Sequence, residues 1–178
     1  MKIVYISGSP RENSNTDFLL KKCNSILGGE LIKLSNYDIG FCDSCWACLK
    51  TKKCNINDDL TNIILPKVIE SDVIFLGTPV YFNNVSGQLK IFMDRTWSVR
   101  GKLKNKIGGA VVVGRKYGHQ SAINAINSFF LKHEMIPANR GVSAIAFEKR
   151  NVELDKEALK STEKLCKRII EINKTINI

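Results

Sequence analysis

Short apolar runs alternate along this chain with longer stretches in which apolar residues recur every three or four positions. The run "KIVYISG" (2–8) is rich in β-branched residues and stops at Gly8, the pattern of a strand buried on both faces. Over 15–27, Leu19, Leu20, Cys23, Ile26 and Leu27 fall on one face of a helix. "GGELIKL" returns the chain as a second strand, and "DVIFLGTPV" (72–80), stopped by Gly77 and Pro79, is a third. "KIGGAVVVG" (106–114) and "IPANRGVSAIAF" (136–147) supply two more. Helices are predicted at about 59–70, 86–96 and 119–134. A last one over 154–173 carries the stripe Leu154, Ala158, Leu165, Cys166, Ile169 and Ile170. Pro66 falls inside the 59–70 segment and either kinks that helix or starts a second one.

Alternation of this kind predicts parallel strands joined by right-handed crossovers, hence an α/β, doubly wound, five-stranded open sheet. A chain of 178 residues suits one such domain, spanning 1–178, with a sizeable core. Ligands of doubly wound sheets bind outside the carboxyl ends of the strands. Three polar, turn-forming loops leave those ends here: "SGSPRENSNT" (7–16), "TPVYFNN" (78–84) and "GRKYGHQ" (114–120).

The first loop matches neither the dinucleotide nor the triphosphate fingerprint. It offers Ser7, Ser9, Arg11, Ser14, Asn15 and Thr16, followed at once by a helix. Ser14 or Asn15 is needed to cap that helix. Six polar side chains in ten residues exceed what a cap requires, and with the free N–H groups of a helix N-terminus they suit one terminal phosphate. Arg11 adds a charge-assisted contact. The second loop holds Pro79, Tyr81, Phe82, Asn83 and Asn84, an aromatic wall beside amide groups, as a flat heteroaromatic ring requires. A one-phosphate cradle paired with a ring site points to FMN.

Charge and cysteine content then change the picture. The net charge of +10 comes from basic residues scattered in ones and twos, without a basic arm or repeated aromatics, so nucleic acid is not the expected partner. A solvated lysine-rich surface, or attraction to an acidic partner, accounts for it. The N-terminal apolar run is too short for a signal peptide, and no segment approaches the ~20 apolar residues of a membrane helix. A cytoplasmic, reducing setting is expected, which argues against disulfides. Yet "CDSCWACLKTKKC" packs Cys42, Cys45, Cys48 and Cys54 into thirteen residues. Structural zinc sites usually join two C-x2-C knuckles a dozen or more residues apart. The compact C-x2-C-x2-C-x5-C run instead suits a [4Fe-4S] cluster, with Lys50, Lys52 and Lys53 offsetting its negative charge. Zinc, or a set of reduced redox-active thiols, are the alternatives. Cys23 and Cys166 read as buried small hydrophobes, and His119 and His133 as helix-surface residues.

The segments "GSPRENSNT", "CDSCWACLKTKKCNINDD" and "GTPVYFNNVSGQLKIFMDR" together resemble the iron–sulfur flavoproteins, a branch of the NADPH-dependent FMN reductase-like proteins. The resemblance implies a flavodoxin-like sheet of order 2-1-3-4-5 with a cysteine-rich loop insertion at about 42–58 and FMN at the strand ends. It implies phosphate contacts from Ser9, Arg11, Ser14, Asn15 and Thr16. Ring contacts would come from Pro79, Tyr81, Phe82, Asn83 and Asn84, with the loop from Gly114 to Gly118 closing the far side. It also implies a homodimer or homotetramer in which each cluster lies near a flavin. Such a protein would pass electrons between a ferredoxin-like one-electron carrier and FMN, with no catalytic acid or base of its own. The competing readings are an NAD(P)H-dependent FMN or quinone reductase with structural cysteines, and a zinc-stapled binding module.

Overall fold

A computed structural model describes residues 1–176. In chain order the elements are β1 (Ile3–Ser7), α1 (Asn15–Leu27), β2 (Glu30–Lys33), a short α2 (Ala47–Thr51) and α3 (Leu65–Glu70). They continue with β3 (Val73–Pro79), α4 (Gly87–Arg95), β4 (Ile107–Gly114), α5 (His119–Lys132), β5 (Ile136–Pro137), β6 (Val142–Ile145) and α6 (Lys156–Ile176). The sheet runs β2-β1-β3-β4-β5 with every pairing parallel, and β6 also pairs with β4.

Alternate residues of one strand feed opposite cores, which is why the strands read as unbroken apolar runs. Ile3, Tyr5, Val73 and Phe75 pack with α1 and α6 through Leu19, Cys23, Leu165 and Ile169. Val4, Ile6, Ile74 and Leu76 pack with α3, α4 and α5 through Val68, Phe92, Ile126 and Phe130. Tyr5 and Phe75 stack at 4.6 Å across the first face. Cys23 and Cys166 meet there, both fully buried, and their contact together with burial pushes the Cys23 thiol up.

Three expectations need correcting. The single strand predicted at 136–147 is two, with β5 pairing against Ile107 and Gly108 and β6 against Val111 to Gly114. Between them Asn139 Oδ1 accepts the Gly141 N–H at 2.8 Å, and Gly141 has φ +104°, a conformation open to glycine. The last helix begins at Lys156, because the Asp155 carboxylate accepts the Ala158 N–H at 2.9 Å and caps it. That leaves Leu154 78% exposed in the preceding 3₁₀ turn; Ile170 is exposed as well, and Thr162 and Ile172 complete the buried stripe instead. Pro66 sits at the start of α3, after a π turn, Leu60–Ile64, in which the Leu65 N–H reaches Leu60 O; the turn ends where proline lacks its donor.

His133 is the third correction, for it is only 5% exposed. Thr96 Oγ1 gives its proton to Met93 O at 2.6 Å, so His133 Nε2 donates to Thr96 Oγ1 at 3.0 Å and Nδ1 is left a buried acceptor without a partner. Burial, with Lys132 second, holds this imidazole below its usual 6.5. A depressed histidine stabilises the fold fully above the unfolded value and loses that contribution as pH falls below it. The melting temperature should therefore drop between pH 7.5 and 5.5, and His133→Gln should lower stability overall but flatten the slope. An unchanged slope would assign the acid sensitivity elsewhere.

Candidate functional site

The carboxyl ends of β1, β3, β4 and β6 surround an open cleft, where doubly wound sheets bind their ligands. Ser9, Arg11, Ser14, Asn15 and Thr16 line it from the first loop, and Pro79, Val80 and Tyr81 from the second. Val113, Gly114 and Arg115 follow β4, and Ala146, Phe147 and Lys149 follow β6.

One end of the cleft is built for an anion. Ser14 caps α1, its hydroxyl accepting the Asp17 N–H at 3.0 Å. Asp17 and Phe18 N–H groups are thereby satisfied within the turn, while those of Asn15 and Thr16 have no intrahelical acceptor. Ser9 and Thr16, 2% and 1% exposed, line this part of the cleft. Arg11, Arg115 and Lys149 stand on the rim, and no carboxylate is among the lining residues. The Asn15 side chain is already engaged, donating to Glu148 O at 2.8 Å and accepting the Val152 N–H at 3.4 Å, so it ties the 148–152 turn to the helix start.

A buried carboxylate holds this loop from behind. Asp17 accepts the Ser7 hydroxyl at 2.5 Å and pairs with Lys33 Nζ at 2.9 Å. Lys33 also donates to the carbonyl of Arg11, so β2 grips the loop while cancelling the Asp17 charge beside the anion end. Ser86, the cap of α4, donates to Gly8 O at 2.6 Å and thus bolts the first loop to the second.

Val80, Tyr81, Ala146 and Phe147 add apolar surface to the same cleft. Residues 81–84 form a tight turn closed by Tyr81 N–H to Asn84 O at 2.9 Å and Asn84 N–H to Tyr81 O at 3.0 Å. Phe82 and Asn83 both have positive φ, as a type I′ turn requires, and Phe82 is thrown fully into solvent. Of the ring contacts expected from sequence, Pro79, Tyr81 and Gly114 line the cleft, whereas Phe82, Asn83, Asn84 and Gly118 do not. Gly118, at φ +81°, is where the third loop meets the second: a Cβ there would lie 2.6 Å from Asn83 Cα. Arg115 comes from the 114–118 loop expected there, whereas Val80, Val113, Ala146, Phe147 and Lys149 were missed. The rule that ligands lie at strand ends would have found the last three, because "SAIAFEK" leaves a strand too.

The four cysteines 42, 45, 48 and 54 occupy a solvent-facing excursion between β2 and the π turn, with Ala47–Thr51 as its one helical turn. None is in a disulfide, and all are at least partly exposed. As a donor set, four free thiols on one loop beside exposed Lys50, Lys52 and Lys53 fit an iron–sulfur cluster. The thiols are not drawn together: among the described residues no three of His, Cys, Asp or Glu stand where they could hold a metal ion. The loop's base, in contrast, is tightly bonded. Asp58 accepts two N–H groups of Arg95 at 2.7 and 3.0 Å, and those of Gly40 and Thr61 at 3.0 Å. Burial works to raise the Asp58 carboxyl, but these donors overcome it and hold the group at about 2.

The chain matches the family of NADPH-dependent FMN reductases over residues 1–149. It is 38% identical to an iron-sulfur flavoprotein of Methanocaldococcus jannaschii over 99% of both chains. Among solved structures, RosB, which holds 8-demethyl-8-formylriboflavin-5'-phosphate, superposes with a TM-score of 0.82 at 14% identity, covering 99% of this chain and 80% of that one. An archaeal flavodoxin superposes with a TM-score of 0.65 at 14% identity, covering 97% and 99%. No helix among the described residues is long and apolar enough to cross a membrane.

Proposed function

We infer, from a chain that belongs to the NADPH-dependent FMN reductase family and within it to the iron–sulfur flavoproteins, that this flavin-dependent oxidoreductase holds FMN in the cleft and moves electrons between it and a one-electron carrier by way of a [4Fe-4S] cluster on the cysteine loop. The observation that carries the flavin half is a cleft lined both by the hydroxyls and cations of Ser9, Thr16, Arg11, Arg115 and Lys149 and by the apolar side chains of Val80, Tyr81, Ala146 and Phe147. Ser9, Thr16, Arg11 and the N–H groups opening α1 would bind the terminal phosphate. Pro79, Tyr81 and Gly114 would border the ring, with Val80 and Phe147 keeping water from it. Bound FMN supplies one- and two-electron chemistry. The protein's part is positioning: His119, the histidine nearest this site, is already engaged through Nε2 with Ala144 O at 3.0 Å.

The cluster half is supported by the donor set, Cys42, Cys45, Cys48 and Cys54, which on binding iron and sulfide would give a one-electron centre. Lys50, Lys52 and Lys53 would draw an acidic, ferredoxin-like carrier to that loop. Exposed Phe41, Trp46, Phe82, Tyr117 and Phe147 give a second copy of the chain an apolar surface to cover, in keeping with a homo-oligomer. The second reading, an NAD(P)H-dependent reductase with structural cysteines, is favoured by the ungathered thiols.

Flavin bleaching by an acidic low-potential one-electron carrier separates the two readings. With reconstituted protein it should outpace NADPH and slow as salt rises, since steering is screened over ~8 Å at physiological ionic strength. Changing Lys50, Lys52 and Lys53 to Gln should flatten that salt dependence at unchanged FMN content. Rapid reduction by NADPH that survives loss of Cys54 would establish the simple reductase.

A further inference from the structure

The cysteine segment leaves and rejoins the fold at one seam. Before it, Asp38 N–H donates to the Asp59 carboxylate at 2.8 Å and Asp38 O accepts the Asp59 N–H at 3.2 Å. Gly40 N–H donates to Asp58 Oδ2 at 3.0 Å. Into this seam comes Arg95, from the last turn of α4, with its side chain fully buried. Nη1 donates to Gly40 O at 2.5 Å and to Asp58 Oδ2 at 2.7 Å; Nη2 donates to Asp58 Oδ1 at 3.0 Å and to Thr61 Oγ1 at 2.9 Å. One guanidinium therefore grips the residue that opens the excursion and two that close it. Its remaining donor, Nε, is buried and has no partner. Cys54 lies near enough for its charge to be among those acting on Arg95.

A buried ion pair is a weak device for stability, since desolvation offsets most of the attraction. This one joins two sites. The same helix is capped by Ser86, whose hydroxyl donates to Gly8 in the first loop, and ends at Arg95, so its nine residues run from the cleft's loops to the base of the cysteine loop.

We propose that Arg95 is the positioning residue of the cysteine loop: its fork clamps the loop's two ends to α4, and its free Nε–H is the donor to the Cys54 sulfur. The clamp stands without any bound metal. The Nε–H contact to a ligating sulfur rests on the cluster reading above, and hydrogen bonds to such sulfurs raise a cluster's reduction potential.

The test uses the full chain with FMN bound. Arg95→Lys keeps the charge and loses the fork. Arg95→Met alone would strand Asp58, so Arg95→Met/Asp58→Leu, which removes both charges, is the second variant. Hydrogen–deuterium exchange is measured first without iron. Peptides covering 38–61 should exchange at least tenfold faster in both variants while peptides of β1 and β3 stay protected, and an unchanged 38–61 segment would overturn the clamp. After anaerobic reconstitution with ferrous iron and sulfide, both variants should retain less iron per FMN than the parent, and the iron–sulfur couple should move to lower potential. Equal iron and an unmoved potential would reduce Arg95 to a fold element. A parent chain that takes up no iron would end the cluster reading and the Nε–H contact with it, while the exchange data still decide the clamp.

Discussion

Riboflavin, which lacks the terminal phosphate of FMN, is expected to bind the metal-free protein at least ~100-fold more weakly than FMN. The phosphate would meet the N–H groups of Asn15 and Thr16, the hydroxyls of Ser9 and Thr16, and the side chain of Arg11. The helix end adds about half a positive charge along the same direction. A hydrogen bond to a charged group contributes about 1.5–3 kcal/mol, so two such contacts already give ~3–6 kcal/mol, or roughly 10²- to 10⁴-fold. Arg11→Ala should weaken FMN by about tenfold to a hundredfold and leave riboflavin where it was, because the lost contact is to the phosphate alone. Quenching of flavin fluorescence during titration of the apoprotein measures both ligands. Equal affinities would mean that the 9–16 loop serves some other purpose and that the anion end of the cleft belongs to a different ligand.

The strand-end loops were legible in the sequence because the strands were. β1, β3 and β4 are apolar on both faces, so each reads as an unbroken run, and the polar loops after β1 and β4 stand out. The edge of the sheet was less legible. Asn139 reaching Gly141 is a local turn signal, but that it splits one strand into two depends on β4 having a partner on each side of the gap. Aromatic content misled at Phe82: a phenylalanine after a buried strand suggests a ring wall, but the backbone of the 81–84 turn points it outward. Asn84 uses its amide on the N–H of Val85 at 2.8 Å.

Arg95 was invisible for a deeper reason. In "LKIFMDRT" an arginine reads as the charged face of an amphipathic helix, and only a carboxylate 37 residues earlier in the chain makes its burial tolerable. Cysteine spacing, by contrast, is a purely local signal, and it announced a ligand set. Whether the thiols converge is a property of a loop whose fixed part is its base.

Replacing any one of Cys42, Cys45, Cys48 or Cys54 by Ala is expected to strip most of the iron and sulfide from reconstituted protein while FMN stays at parental stoichiometry. A [4Fe-4S] centre takes four cysteine thiolates, and this loop carries only these four among the chain's six cysteines. The other two, Cys23 and Cys166, are fully buried against each other between α1 and α6, where they cannot substitute for a lost ligand. Cys166→Ala is therefore the control: it should lower the melting temperature by opening a small cavity and leave iron content untouched. FMN should be indifferent to every loop variant, because no cysteine lines the cleft. Iron, acid-labile sulfide and zinc are measured on the same anaerobic samples. Zinc in place of iron in the parent, lost on the same four substitutions, would convert the loop into a structural staple. Full iron in all four single variants would take the cluster off this loop altogether.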